Sequence, residues 1–273
     1  MSYDLFYDAG DTSVLEISEY FENHPLYNKD DDIYVYENEE TGVYFYFSLN
    51  EENGKASFAF NINYNRPCVF AEEAVFELEE VNSQFGFPID DPQMEGHGES
   101  KVFSKDAFLK GWNAGNKFAF EAVKRHSEDA LNQFFTMDKE KLIAAWNWNF
   151  TRDEIYENLE VDLYVSKIFF LNVNGKAAVC GLWPDAIPSL IPNCDYVMIP
   201  RREMNDGEED MCFLSFEDMC RHMNKFLTVK ENYVHFKDEE PPMDVQYFVK
   251  SLSPCPDELV RVPIDSIVEQ GLW

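Results

Sequence analysis

Residues 43–64, VYFYFSLNEENGKASFAFNINY, constrain the fold more than any other stretch. Two runs of alternating apolar and polar residues meet at Asn53-Gly54, a dipeptide suited to a two-residue turn with positive φ at both positions. The spacing predicts an antiparallel hairpin over 43–49 and 56–64. Phe58, Phe60, Ile62 and Tyr64 share one face of its second strand, and Ser57, Ala59, Asn61 and Asn63 share the other.

The flanking segments supply a cover for the apolar face. SYDLFY (2–7) alternates and reads as a strand. TSVLEISEYFENHP follows, with Ser13 and Glu16 at capping-box spacing, Val14, Ile17 and Phe21 on one helical face, and Pro25 as the stop. FAEEAVFELEEVNSQFG predicts a second helix. Its buried stripe is Ala71, Ala74, Val75, Leu78, Val81 and Phe85, and Gly86 ends it. Strand, helix, two or three strands, helix is the order of a small antiparallel sheet with helices on one face.

PIDDPQMEGHGES (88–100) has the residues of a linker or long loop. From Ser104 the pattern is helical, with Gly111, Gly115 and Ala119 at every fourth residue, a stripe that admits another helix closely. MDKEKLIAAWNWNF predicts a further helix, and Thr151 to Glu154 repeats the capping-box spacing. Strands return from about 161. Asn174-Gly175 marks a hairpin, DYVMIP, NYVHFK and DVQYFVKSL read as strands, and SFEDMCRHMNKF reads as a helix. The expectation is an α+β fold in three parts: an acidic α+β unit over 1–100, a helical segment over 101–160, and a hairpin-rich α+β unit over 161–273.

Charge narrows the function classes. The chain of 273 residues carries 52 acids against 22 Lys and Arg, a net charge of −30. Residues 1–100 hold 23 of the acids and 3 bases, a net of −20, whereas 101–200 are near balance at −2 and 201–273 carry −8. Such a field repels phosphate and argues against direct nucleic-acid binding. Aromatics at 16% argue against disorder. There is no apolar run of membrane-spanning length and no signal-peptide pattern near Met1, so a cytoplasmic protein without a membrane segment is expected. The six Cys show no C-x-x-C pair and read as reduced thiols. Lys101, Lys105, Lys110, Lys117, Lys124 and Arg125 lie along one predicted helix, which is expected to dock on and partly neutralise the acidic first part.

No nucleotide-binding, hydrolase or metalloprotease motif is present, and no cofactor or metal site is expected. The acidic clusters KDDD (29–32), ENEE (37–40), FELEE (76–80) and DGEED (206–210) lack EF-hand spacing and read singly as solvated faces. His97, set in EGHGES, reads as a solvated loop residue; a metal there would need a second cluster elsewhere, for instance His126 and Asp129. Residues 177–203, AAVCGLWPDAIPSLIPNCDYVMIPRRE, hold Pro184, Pro188 and Pro192 at every fourth position, which excludes a helix. They read as a strand–loop–strand connection that offers Trp183 and Asp185 as a contact surface.

Two functional classes follow. The first is an inhibitory protein of the immunity or antitoxin type, whose acidic, aromatic-bearing face meets a basic protein such as a nuclease toxin. Its expected contact residues are Tyr34, Tyr36, Glu37, Glu39, Glu40 and Tyr44, with Trp183 and Asp185. The second is an enzyme or small-molecule binder with a pocket near the 183–201 loop, using Trp183, Asp185, His97 and Arg201.

Overall fold

The computed structural model describes residues 1–52, 55–126, 133–205, 210–240, 242–255 and 260–272. In chain order the elements are β1 (Ser2–Asp8), α1 (Val14–Glu22), β2 (Tyr27–Asp30), β3 (Ile33–Asn38), β4 (Val43–Glu52), β5 (Lys55–Asn63), α2 (Val69–Phe85), β6 (Ile89–Asp90), α3 (Lys105–His126), β7 (Phe135–Met137), α4 (Lys139–Phe150) and α5 (Arg152–Glu157). There follow β8 (Tyr164–Val165), β9 (Ile168–Val173), β10 (Lys176–Leu182), β11 (Ser189–Pro192), β12 (Tyr196–Pro200), β13 (Met211–Ser215), α6 (Phe216–Met223), β14 (Leu227–Val229), β15 (Tyr233–Phe236), α7 (Met243–Ser251), β16 (Val260–Arg261) and β17 (Ile267–Glu269). The fold is mixed α+β, with seven helices among the described residues and four mostly antiparallel sheets.

The chain divides into two compact units, Met1–Lys139 with Ile264–Trp273, and Glu140–Pro263. The divisions expected at 100 and 160 both fall inside a unit. Packing explains this: α3 lies against α2, and Asn149 of α4 exchanges hydrogen bonds with the backbone of Ile168, which ties that helix to the second unit.

The first unit is built on a six-stranded sheet of order β2-β3-β4-β5-β1-β6, antiparallel throughout. The alternation read in the sequence sets its buried face. Phe58, Phe60 and Ile62 point inward with Leu5, Tyr34, Tyr36, Phe45 and Phe47. Phe21 of α1 sits among the rings of Tyr27, Tyr34, Phe47 and Phe58. Ser13 caps α1 by accepting from Glu16 N, and Gly86, at φ 61°, ends α2 in the left-handed region that glycine tolerates. The Asn53-Gly54 turn lies outside the described residues, but Glu52 and Lys55 pair across it. Gly111 and Gly115 face tyrosines of the sheet side, since an added Cβ would collide with Tyr3 and Tyr64. The small-residue stripe therefore receives rings at those two positions, where a helix was expected.

The second unit holds a five-stranded sheet, β13-β12-β10-β9-β16, and a four-stranded one, β14-β15-β11-β8. Asn174 and Gly175, at φ 53° and 79°, form the turn between β9 and β10. DVQYFVKSL is helix α7, contrary to the strand expected. Pro242 opens it, and Val245 and Val249, four residues apart, are both buried in the core. Thr151 does not cap α5 through its side chain; its hydroxyl donates to Asn147 O one turn back.

Candidate functional site

The helices cover one face of the six-stranded sheet, and the opposite face is organised in rows by the strand register. One row runs Asn28–Val35–Tyr46–Asn61–Asp4, and the next runs Asp30–Ile33–Ser48–Ala59–Phe6–Asp90. Val35, Tyr46, Ile33, Ala59 and Phe6 lie inside the rows together with Asn61 and Ser48, and acids stand at three of the four row ends. Phe6 is 48% exposed, and Ile33, Val35, Tyr46 and Ala59 are half-buried. Asp8 and Glu37 continue the acidic edge and are exposed. An apolar centre with a polar rim is the anatomy of a protein–protein interface.

The expected contact residues divide by strand parity. Tyr34 and Tyr36 are buried on the helix-covered face, so the correction is that neither ring offers a contact. Glu37 and Glu39 are exposed and Glu40 is half-buried. Tyr44 is half-buried at one end of the face. Its hydroxyl donates to Asp265 Oδ2 at 3.1 Å and accepts from Arg66 at 2.6 Å, and desolvation raises its pKa.

The buried tyrosines serve two carboxylates that the hydrophobic stripe concealed. Glu73 and Glu77 are both buried, one turn apart on α2. Glu73 Oε1 accepts from Tyr36 Oη and Asn38 Nδ2 at 2.9 Å and from Thr41 Oγ1 at 3.0 Å. Glu77 Oε2 accepts from Tyr27 Oη at 2.9 Å. Burial raises the Glu77 pKa to about 7, with Glu80 and Glu73 adding to the effect and the Tyr27 hydrogen bond opposing it. Among the described residues, His24, Glu77 and Glu80 form the group whose ligating atoms are close enough to share a metal ion.

His97 is not the solvated loop residue that its sequence suggests. Its side chain is buried beside Asp91, with Nδ1 3.7 Å from Oδ2, and Nε2 accepts from Ser104 N at 3.1 Å. Asp91 also accepts from Tyr3 Oη at 2.7 Å and from His97 N at 3.0 Å, so the pair locks the 91–104 loop onto β1. Desolvation lowers the His97 pKa, and Asp91 works in the opposite direction. Asp129 and most of DGEED lie outside the described residues.

In the second unit, Trp183 is fully buried, its Nε1 donating to Ile187 O at 2.8 Å and its ring packed on Phe236. It is therefore not presented at a loop tip. Asp185 and Ala186 hold φ of 49° and 55°, and Asp185 Oδ1 accepts from Glu203 N at 2.8 Å and Met204 N at 3.2 Å. Arg201 is buried, donating to Val249 O and Leu252 O at 3.0 Å and pairing with Asp210. Trp183, Asp185 and Arg201 thus bind the loop together, and His97 belongs to the other unit. A cavity of about 650 Å³ does border the same connection, lined by Lys141, Trp148, Asn193, Cys194, Asp195 and Tyr233 among others. Lys141 Nζ donates to both Asp195 oxygens there, at 2.5 and 2.6 Å.

Burial pushes the Cys68 and Cys180 thiols up, and takes Cys194 to about 12 and Cys212 to about 11, away from the thiolate form. Among the described residues no helix is long and apolar enough to cross a membrane. Compared with known proteins, the chain matches no family model, no curated protein and no solved structure.

Proposed function

We propose that this chain is an acidic binding protein of the inhibitory, immunity or antitoxin type, and that it neutralises a basic protein seated on the open face of the six-stranded sheet. The observation that carries the reading is the register: Val35, Tyr46, Ile33 and Phe6 in the middle of the rows, Asp4, Asp30 and Asp90 at their ends. The net charge of −20 over residues 1–100 supports it, because a single-sign field accelerates encounter with a partner of opposite sign. The aromatic centre supplies the slow dissociation that charge alone does not. Glu37 and Glu39 extend the acidic edge beside the half-buried Tyr44, and a nuclease is one class of partner with the required basic surface.

The test is capture of basic proteins by the wild type at low and high salt, repeated with Phe6→Ala plus Tyr46→Ala, with Glu37→Lys plus Asp4→Asn, and with Glu95→Gln plus Glu99→Gln away from the rows. A basic protein held at one-to-one stoichiometry, lost with the first two pairs and retained with the third, supports the reading. Equal capture by all three variants, or none at either salt, overturns it.

A second reading rests on the cavity of about 650 Å³ in the second unit. Its aromatic wall of Trp148 and Tyr233 and its polar groups at Lys141, Asn193 and Asp195 suit a small ligand. A thermal-shift screen of small metabolites tests it. A stabilising compound whose effect disappears in Tyr233→Ala supports this reading, and the absence of any such compound removes it.

A further inference from the structure

His24, Glu77 and Glu80 come from two separate parts of the first unit. His24 directly follows the C-cap Asn23 of α1, and Pro25 follows it. Glu77 and Glu80 are three residues apart on α2, so both carboxylates project from one side of that helix. His24 Nε2 lies 3.7 Å from Glu77 Oε2 and 3.9 Å from Glu80 Oε2, and the three ligating atoms are all within 4.8 Å of one another. Three ligands around one ion, at bonds of about 2.0–2.2 Å, need their donor atoms about 3–3.5 Å apart. The closure required is small. Glu80 can make it by rotation, because its side chain is 63% exposed.

The surroundings are those of a held ligand set rather than a chance surface cluster. The Glu77 side chain is only 9% exposed. Tyr27 Oη donates to Glu77 Oε2, and the Tyr27 ring meets the His24 ring edge-on at 5.0 Å, so one residue orients both ligands. Within ion-pair distance of Glu77, among the described residues, stands no Lys or Arg. A carboxylate that is largely withdrawn from water and lacks a Lys or Arg neighbour is costly as a bare anion, and either a proton or a bound cation relieves it. The Tyr20 hydroxyl is buried without a hydrogen-bond partner, and the Glu77 and Glu80 charges act on it. The remaining imidazole nitrogen, Nδ1, has only a long contact with Leu26 N at 3.4 Å. Ligation through Nε2 moves the ring proton to Nδ1 and gives up that contact.

We propose that His24, Glu77 and Glu80 form a binding site for one divalent first-row transition-metal ion of the zinc and manganese class. An imidazole nitrogen with two carboxylates suits such ions better than calcium or magnesium, which take all-oxygen ligands. Three protein donors leave at least one coordination position to water or to an incoming group. The inference is independent of the open sheet face and does not require that reading.

The test uses the full chain, freed of metal with a chelator and placed at 0.15 M salt, near neutral pH. Zn²⁺ is titrated by calorimetry, and Co²⁺ is followed by its visible absorption, whose intensity and position report the coordination geometry. The expected result is one saturable equivalent of Zn²⁺ that a tenfold excess of Mg²⁺ does not displace. Affinity should fall at least tenfold in His24→Gln and in Glu80→Gln, with the Co²⁺ bands lost in His24→Gln. Glu80 is exposed, so its variant keeps the fold, and far-UV circular dichroism checks both. Weak binding at many sites that the two variants leave unchanged, or no saturable equivalent up to millimolar Zn²⁺, would overturn the proposal.

Discussion

Replacing Glu73 with Leu should cost the first unit several kilocalories per mole, although it exchanges a fully buried carboxylate for a hydrocarbon of similar size. The reason lies in what the carboxylate serves. One oxygen, Oε1, accepts from Tyr36 Oη, Asn38 Nδ2 and Thr41 Oγ1. Leucine leaves three buried donors without that acceptor, each at about 1–3 kcal/mol. Removing the charge recovers its own desolvation cost, which pulls the total to the lower part of the range, about 3–4 kcal/mol. Glu73→Gln retains an oxygen acceptor and should cost only about 1 kcal/mol. Tyr36→Phe should be destabilising by about 1–2 kcal/mol in the wild type, and nearly neutral or stabilising beside Glu73→Leu, because it removes one of the orphaned donors. The assay is urea unfolding, with hydrogen exchange on peptides from α2 and β3 to assign the loss to the first unit. Equal stability of Glu73→Leu and wild type would refute the reasoning. A Tyr36→Phe cost that is the same in both backgrounds would do so too.

Three further outcomes are expected. Trp183→Ala should destabilise the second unit by about 3–5 kcal/mol, since it empties a fully buried site and removes one of the two side-chain donors to Ile187 O; thermal unfolding measures it, and a loss under 1 kcal/mol would place the ring elsewhere. The folded His97 pKa lies below its unfolded value, so its contribution is present above about 6.5 and declines as pH falls. Melting temperature should drop between pH 7.5 and 5.5, and less steeply in His97→Gln; parallel pH profiles would contradict this. Cys180, Cys194 and Cys212, with thiols pushed up by burial, should resist iodoacetamide at pH 8 in the native state and label fully in denaturant, as read by mass.

Local chemistry was legible in the sequence wherever a short-range signal decides structure. Ser13 caps α1, Gly86 ends α2, Asn174-Gly175 turns β9 into β10, and the Phe58–Phe60–Ile62 alternation sets the buried face. Patterns that two structures can satisfy were misread. Val245 and Val249 fit a helix as well as a strand, and packing chose the helix. Parity explains the split among the expected contact tyrosines. Tyr34 and Tyr36 share the inward parity of β3, and nothing in a run that alternates tyrosine with Ile33, Val35 and Glu37 states which parity faces the helices. The carboxylate network was hidden because Glu73 and Glu77 sit inside an acid-rich helix where 5 of residues 71–80 are Glu, and their partners are tens of residues away. The same distance conceals His24 beside FELEE, whereas Asp91 lies only six residues before the loop histidine. A faint signal existed for the latter, since His97 lies between glycines that allow a tight loop.

The first unit is interrupted by the second. Its strand β7 has β17 as parallel partner, and Glu269, at the end of β17, accepts from Cys68 N at the start of α2. The chain that completes the first unit is therefore made only after all of Glu140–Pro263. At about 5–20 residues per second, the unit made first stands incomplete at the ribosome for on the order of ten seconds. During that interval the unit lacks β17, and with it the separate two-stranded sheet that β17 forms with β7. The net charge of −20 over its first hundred residues opposes association between nascent chains on one messenger while each waits for β17.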